Sequence, residues 1–311
     1  MNAMGIANCK LQTANCRLKT TRTKRQRDPQ IRNLQFAICN LQSSPRRAFT
    51  LVEMLTVIVI IAVLAALLLP AVMAARRRAT VSAMKVEVHQ LVDALEAFKE
   101  KFGDYPPDGT NGDDLKAFLR RAWPKYNFAA TATPPWANVT PLTALRFWLA
   151  GPDGKGLCAN PYDPFGQNAT SLQNRIAPFY DFDPGRLGSA QDKPAPFSNL
   201  LLYRPKNNKP GSDPYVYYKA VGGVYVYPKD SAINARPFRD SRTSLPDTSS
   251  IPFDWASART YQILCPGIDG KFADMKSSSN DPVFPVGTGY LQDTYDDITS
   301  FSSGTLEDDM P

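Results

Sequence analysis

Histidine is almost missing from this 311-residue chain, which has a single one, His89. That excludes a His-rich metal centre, and any Ser–His or Cys–His catalysis would have to run through His89 alone. Nothing near it in sequence supports such an arrangement, and it lies beside an apolar helical stripe, so it reads as a helix-surface residue. Cysteine is scarce as well. Three of the five, Cys9, Cys16 and Cys39, fall in the first 48 residues, with none of the short CxxC spacing a zinc site uses. Cys158 and Cys265 are the only pair left for a disulfide in an oxidising compartment. The third shortage is of net charge. The formal +7 is concentrated in Met1–Ala48, which holds ten of the 36 Lys/Arg and one of the 29 Asp/Glu. From Phe49 onward 26 bases face 28 acids, so the pI near 9.1 is no evidence for nucleic-acid binding. No catalytic constellation emerges, and the chain reads as a non-enzyme.

What the chain does have is one long apolar run. Between Pro45 and Arg78 it reads PRRAFTLVEMLTVIVIIAVLAALLLPAVMAARRR, and nothing from Met54 to Ala75 ionises. At ~1.5 Å per helical residue this run matches a hydrocarbon core of ~30 Å. Its near edge carries one isolated carboxylate, Glu53. A membrane-buried acid costs roughly 2.5–3.5 kcal/mol even on lenient scales, so it calls for a partner or a purpose. No base lies within a helical turn of it. A cut between Ala48 and Phe49 would create an α-amino group four residues away, and on a neighbouring copy that amine could meet the carboxylate.

AFTLVEMLTVIVIIAVLAALLLP resembles the type IV prepilin signature shared by pilins and type II secretion pseudopilins. The resemblance implies that a prepilin peptidase cuts before Phe49 and methylates its amine, leaving Glu53 to guide subunit assembly. Ala48 becomes the last leader residue, where the family usually has Gly, which implies slower processing. Pro70 matches the family's mid-helix proline. The alternative is an ordinary secretory signal cut after Val72-Met73-Ala74, but its apolar core should be about 7–15 residues and has no use for Glu53.

The domain organisation expected is a removed leader at 1–48, a transmembrane and assembly half-helix at 49–75, and an extracytoplasmic domain at 76–311. The leader holds a near-repeat, ANCKLQT at Ala7–Thr13 and ANCRLKT at Ala14–Thr20, echoed by AICNLQS at Ala37–Ser43. It reads as a mis-assigned start or translated repetitive DNA rather than a functional segment. Arg76, Arg77 and Arg78 nearly balance the leader's bases across the span. The resemblance therefore decides the orientation: single-pass in the inner membrane, with the C-terminal domain in the periplasm.

Beyond the span, Val81, Met84, Val88, Leu91, Leu95, Phe98 and Phe102 recur every three or four residues, predicting that one helix runs from Phe49 to Phe102. Lys85, Glu87, Asp93, Glu96, Lys99 and Glu100 are expected on its solvent side. Gly103 and Tyr105-Pro106-Pro107 end it. Short helices are predicted at Asp114–Trp123 and Thr140–Leu149, and loops from Pro152 to Pro214. YVYYKAVGGVYVY at Tyr215–Tyr227 predicts a hairpin turning at Gly222-Gly223, its aromatics packed on a sheet over the helix. A further strand is expected at Thr260–Cys265.

The fold class expected is α+β, and the resemblance makes it pilin-like: a long N-terminal helix packed on a small antiparallel sheet with long loops. NPYDPFGQ at Asn160–Gln167 is loosely similar to a turn of the major pseudopilin. PGIDGKFAD after Cys265, with DDITSF at Asp296–Phe301, resembles the C-terminal calcium loop of major pseudopilins, with a longer insert from Lys271 to Asp296. That implies Ca²⁺ held by Asp269 and Asp297, with oxygen ligands suited to a hard cation. The function implied is a structural pseudopilin that polymerises with itself and other pseudopilins. Its further partners would be the prepilin peptidase, an assembly ATPase and a platform protein. The alternatives are a type IV pilin for adhesion, motility or DNA uptake, or a membrane-tethered binding or hydrolytic domain with its site in the 125–210 loops.

Overall fold

The computed structural model describes residues 49–127, 134–168, 170–189, 201–206, 211–227, 233–244, 253–275 and 281–311. Two compact units divide the chain, Met1–Ile58 and Val59–Pro311. The expected leader, with Ala48, lies outside the described residues.

Helix α1 runs from Leu51 to Phe102 and contains Pro70. Its apolar part is exposed throughout, with Leu51, Ile58, Leu67 and Met73 each more than half accessible. The helix is long and apolar enough there to cross a membrane. From Met84 onward the predicted stripe becomes core: Met84, Val88, Leu91, Leu95 and Phe98 are fully buried, and Val81 and Phe102 pack at the margin. His89 is exposed, as its place beside the stripe requires.

Two short helices close on this face. Helix α2, Gly112–Ala122, starts two residues earlier than expected because the Asn111 side chain accepts the N–H groups of Asp113 and Asp114 at 3.0 and 3.2 Å. Helix α3, Ala144–Ala150, is shorter than its sequence pattern, since Thr140–Thr143 forms a turn leading into it. Every residue of α3 is buried, and Trp148 donates its indole N–H to the Pro107 carbonyl at 2.8 Å. Phe98 meets Phe118, Trp148 and Phe179 with ring centroids 6.0, 6.3 and 5.3 Å away. Such aromatic contacts add roughly 0.5–1.5 kcal/mol each beyond area burial.

Among the described residues the strands are short and form three small sheets. Strands β1 (Leu187–Ser189) and β2 (Leu201–Tyr203) pair antiparallel within the stretch expected to be loop. The central sheet has the order β3-β6-β8, from Val216–Lys219, Tyr261–Cys265 and Ile298–Thr299, all antiparallel. In the third, β4 (Arg239–Ser244) lies between β5 (Phe253–Trp255), antiparallel, and β7 (Val283–Phe284), parallel. Alternation along the central strands feeds two cores. Tyr217, Tyr261, Ile263, Cys265 and Ile298 join the α1 core, while Val216, Tyr218 and Leu264 face a second cluster built around Phe238, Trp255 and Phe284.

The hairpin expectation is half corrected. Gly222 and Gly223 do make the tight turn, both at positive φ, +62° and +83°, closed by hydrogen bonds between Val221 and Val224. The run after it forms no strand against β3. β3 pairs instead with β6, more than forty residues away, in an antiparallel register that runs from Val216–Leu264 to Lys219–Tyr261.

Candidate functional site

At the N-terminal edge of α1, Phe49 is exposed and Thr50 and Glu53 engage each other reciprocally. Glu53 Oε2 accepts the Thr50 N–H at 2.8 Å and its hydroxyl at 2.9 Å, while the Glu53 N–H donates to Thr50 Oγ1 at 3.1 Å. This is a capping box, a Thr followed three residues later by Glu, which satisfies donors that the first helical turn leaves without partners. Its sequence signal is the T-x-x-E pattern of Thr50 to Glu53 directly before the apolar run. It gives Glu53 a second role, holding the start of the helix, beside any contact with a neighbour. A family model described as the prokaryotic N-terminal methylation motif matches residues 43–69. The chain carries a prepilin-type methylation motif. No curated protein and no solved structure matches the chain.

The prepilin-type motif covers Ala48, Phe49 and Glu53 together with most of the apolar span. It is consistent with the type IV pilin-like family, whose members are structural subunits processed by prepilin peptidase. The rest of the architecture agrees: a long N-terminal apolar helix is followed by small, mostly antiparallel sheets.

The second candidate region is the acidic turn after β6. The fold brings its two halves together. The Gly267 N–H donates to Asp297 Oδ1 at 3.2 Å and the Asp269 N–H to Asp296 Oδ2 at 3.0 Å. Asp213 joins from before β3, accepting the Phe272 N–H at 3.0 Å. The approach is close enough to demand glycine, because a Cβ on Gly267 would lie 2.0 Å from the Asp296 carbonyl oxygen. Asp297 is buried and has no ion-pair partner among the described residues. Burial first, then the charges of Asp296, Asp269 and Asp213, push its carboxyl well above the ordinary carboxylate range against the pull of the Gly267 N–H. Among the described residues no group of three or more His, Cys, Asp or Glu side chains is arranged to hold a metal ion. Asp281, in the long insert, is taken up elsewhere, pairing with Arg239 at 3.0 Å.

Two polar residues on α1 correct the sequence reading, which placed them in solvent. Glu87 is buried and bidentate to Arg186 at 2.6 and 2.7 Å. It also accepts the hydroxyls of Tyr203 at 2.8 Å, Tyr215 at 2.7 Å and Tyr180 at 3.2 Å. Lys85 is buried too, donating to the carbonyls of Thr299, at 2.8 Å, and Ser302. Periodicity identifies the stripe, but the sheet and loops wrap farther round the helix than seven apolar positions imply. Cys158 and Cys265 are both buried and free, so the available disulfide is not formed.

Proposed function

We propose that the chain is a pseudopilin, a structural subunit of a type II secretion fibre that polymerises through α1 after cleavage between Ala48 and Phe49. The observation that carries this reading is the methylation motif on the exposed apolar part of α1, at whose edge one carboxylate, Glu53, sits at the family's offset. Assembly would involve other pseudopilins, an assembly ATPase and a platform protein, with the domain after the span in the periplasm. The same motif serves pilus subunits. The acidic turn is what favours secretion, through its resemblance to the pseudopilin calcium loop. N-terminal mass spectrometry on chain co-produced with a prepilin peptidase should find N-methyl-Phe49, and Ala48→Gly should speed the cut. A mature terminus at Ala75 would make the chain an ordinary secreted protein.

Calcium at the acidic turn is the second part of the proposal. Asp269 and Asp297 would hold it with neighbouring carbonyl oxygens, and the support is a buried Asp297 crowded by like charges. A bound divalent cation would remove that repulsion and tie the last strand to the turn. Binding to the folded state alone adds about 2.7 kcal/mol at one hundred times Kd, or about 5–10 °C for a domain of this size. The full chain in detergent should therefore melt that much higher in calcium than in chelator. Asp269→Ala and Asp297→Ala should each erase the increment. Asp281→Ala should lower both melting temperatures, by breaking its pair with Arg239, and keep their difference. An unchanged wild-type melt would remove calcium without touching the fibre reading.

A further inference from the structure

Where α1 leaves its apolar run, a groove of about 660 Å³ opens between the helix and the C-terminal segment. That is within the roughly 300–1,000 Å³ range of small-ligand sites. One wall carries Arg77 and Arg78, the other Glu307 and Asp308, with Ala74 on the side nearest the span and Val81 about two turns farther along the helix. Arg77 and Glu307 face each other at 3.9 Å with both side chains about three-fifths exposed, 60% and 62%. An ion pair that loose and that solvated holds neither charge firmly. Asp308 is fixed in place by the Thr305 N–H and hydroxyl at 3.0 and 2.7 Å. Lys85 reaches the floor, but its ammonium is committed to the Thr299 and Ser302 carbonyls.

The level of the groove identifies its occupant. Arg77 and Arg78 lie two and three residues past Ala75, so ~3–5 Å beyond the apolar run along the helix axis. A bilayer's headgroup layer adds roughly 5–8 Å on each side of the hydrocarbon core, so with α1 as the membrane anchor the two guanidinium groups would stand at phosphate depth. A purely anionic headgroup would meet Glu307 and Asp308 as like charges. A choline headgroup brings no N–H donor for them. A primary ammonium next to a phosphate offers each wall its complement, three donors to the carboxylates and acceptor oxygens to the arginines.

We propose that this groove binds the headgroup of an amine-bearing zwitterionic phospholipid, phosphate on Arg77 and Arg78 and ammonium on Glu307 and Asp308. The lipid would staple the C-terminal segment to the membrane exit of α1 before the subunit leaves the bilayer. The proposal rests on α1 being a membrane anchor, so the test separates the two. The full chain is reconstituted into vesicles of equal parts phosphatidylethanolamine, phosphatidylglycerol and phosphatidylcholine, and alkaline carbonate extraction checks that it is integral. It is then taken into mild detergent, and retained lipids are counted by native mass spectrometry. Phosphatidylethanolamine should exceed each of the others about five-fold, the scale of one exposed ion pair. Glu307→Gln should bring phosphatidylethanolamine down to the phosphatidylcholine level. Arg77→Gln with Arg78→Gln should remove retention of both, and Lys101→Gln should change nothing. An integral chain with no headgroup preference, or one whose preference survives Glu307→Gln, overturns the groove assignment alone. A second copy of the chain retained in place of lipid overturns it too. Release by carbonate overturns the anchor and the groove together.

Discussion

A carboxylate that gives up water needs its hydrogen bonds replaced, and Glu87 has them replaced by one guanidinium and three phenols. Burial pushes its pKa up, but Arg186, Tyr215 and Tyr203 together bring it below the ordinary value. A depressed folded-state pKa means stability present above the unfolded value and lost as pH falls through the folded one. Asp297 works in the opposite direction. Its pKa is raised, so between the unfolded value of about 3.9 and its own the folded chain holds the extra proton, and stability falls as pH rises. Two variants separate these effects. Glu87→Ala should cost about 3 kcal/mol by leaving Arg186 half-buried without its partner, less at low pH, where the wild-type carboxylate is protonated as well. Asp297→Asn keeps the acceptor for Gly267 and, in chelator, should stabilise the chain at neutral pH. Urea unfolding at several pH values reads both. A wild type as stable as Asp297→Asn in chelator at neutral pH would mean the acidic turn carries no strain for a cation to relieve.

At the scale of elements, α1 and its ends were legible because a helix is specified locally, by a period of three and four and by Gly103 with the prolines after it. The same locality explains Asn111, whose cap sets the start of α2. Strands of two or three residues are too short to show an alternation, and the longer β4, Arg239–Ser244, is polar throughout, so β1, β2, β4, β5, β7 and β8 escaped notice. β3 and β6 were visible as β-branched and aromatic runs, yet their pairing was not, since it joins Val216 to Leu264 across the chain. The acidic turn was legible as two separate segments, and only tertiary structure adds Asp213. Glu87 could have been suspected from its offset of three from Met84 and four from Leu91, which sets it at the stripe's edge. Where helix and small elements meet, Phe98 is the residue to remove. It is fully buried between α2, α3 and Phe179, so Phe98→Ala should cost about 3–5 kcal/mol and lower the melting temperature by about 10 °C. A drop of only a degree or two would mean that α2 and α3 do not depend on α1.

For the whole molecule the question is whether Glu53 acts within one chain or between chains, and the capping box allows the two to be separated. Gln serves at the third position of such a box as Glu does, because its carbonyl oxygen accepts the same N–H and hydroxyl. Glu53→Gln therefore preserves the contacts with Thr50 and the start of α1, and removes only the charge. Glu53→Ala removes both. If Glu53 matters only as a cap, Gln should assemble like wild type and Ala should fail through a frayed helix start. If its charge meets the Phe49 amine of a neighbouring subunit, both should insert and both should be cleaved to N-methyl-Phe49, but neither should yield fibres at normal abundance. A neutral side chain gives that buried amine no counter-charge. The expected outcome is the second. Fibre counts by electron microscopy, normalised to processed subunit in the membrane, decide it. Normal fibres from Glu53→Gln would reduce Glu53 to a helix cap and leave the driving force for polymerisation to the apolar faces of α1.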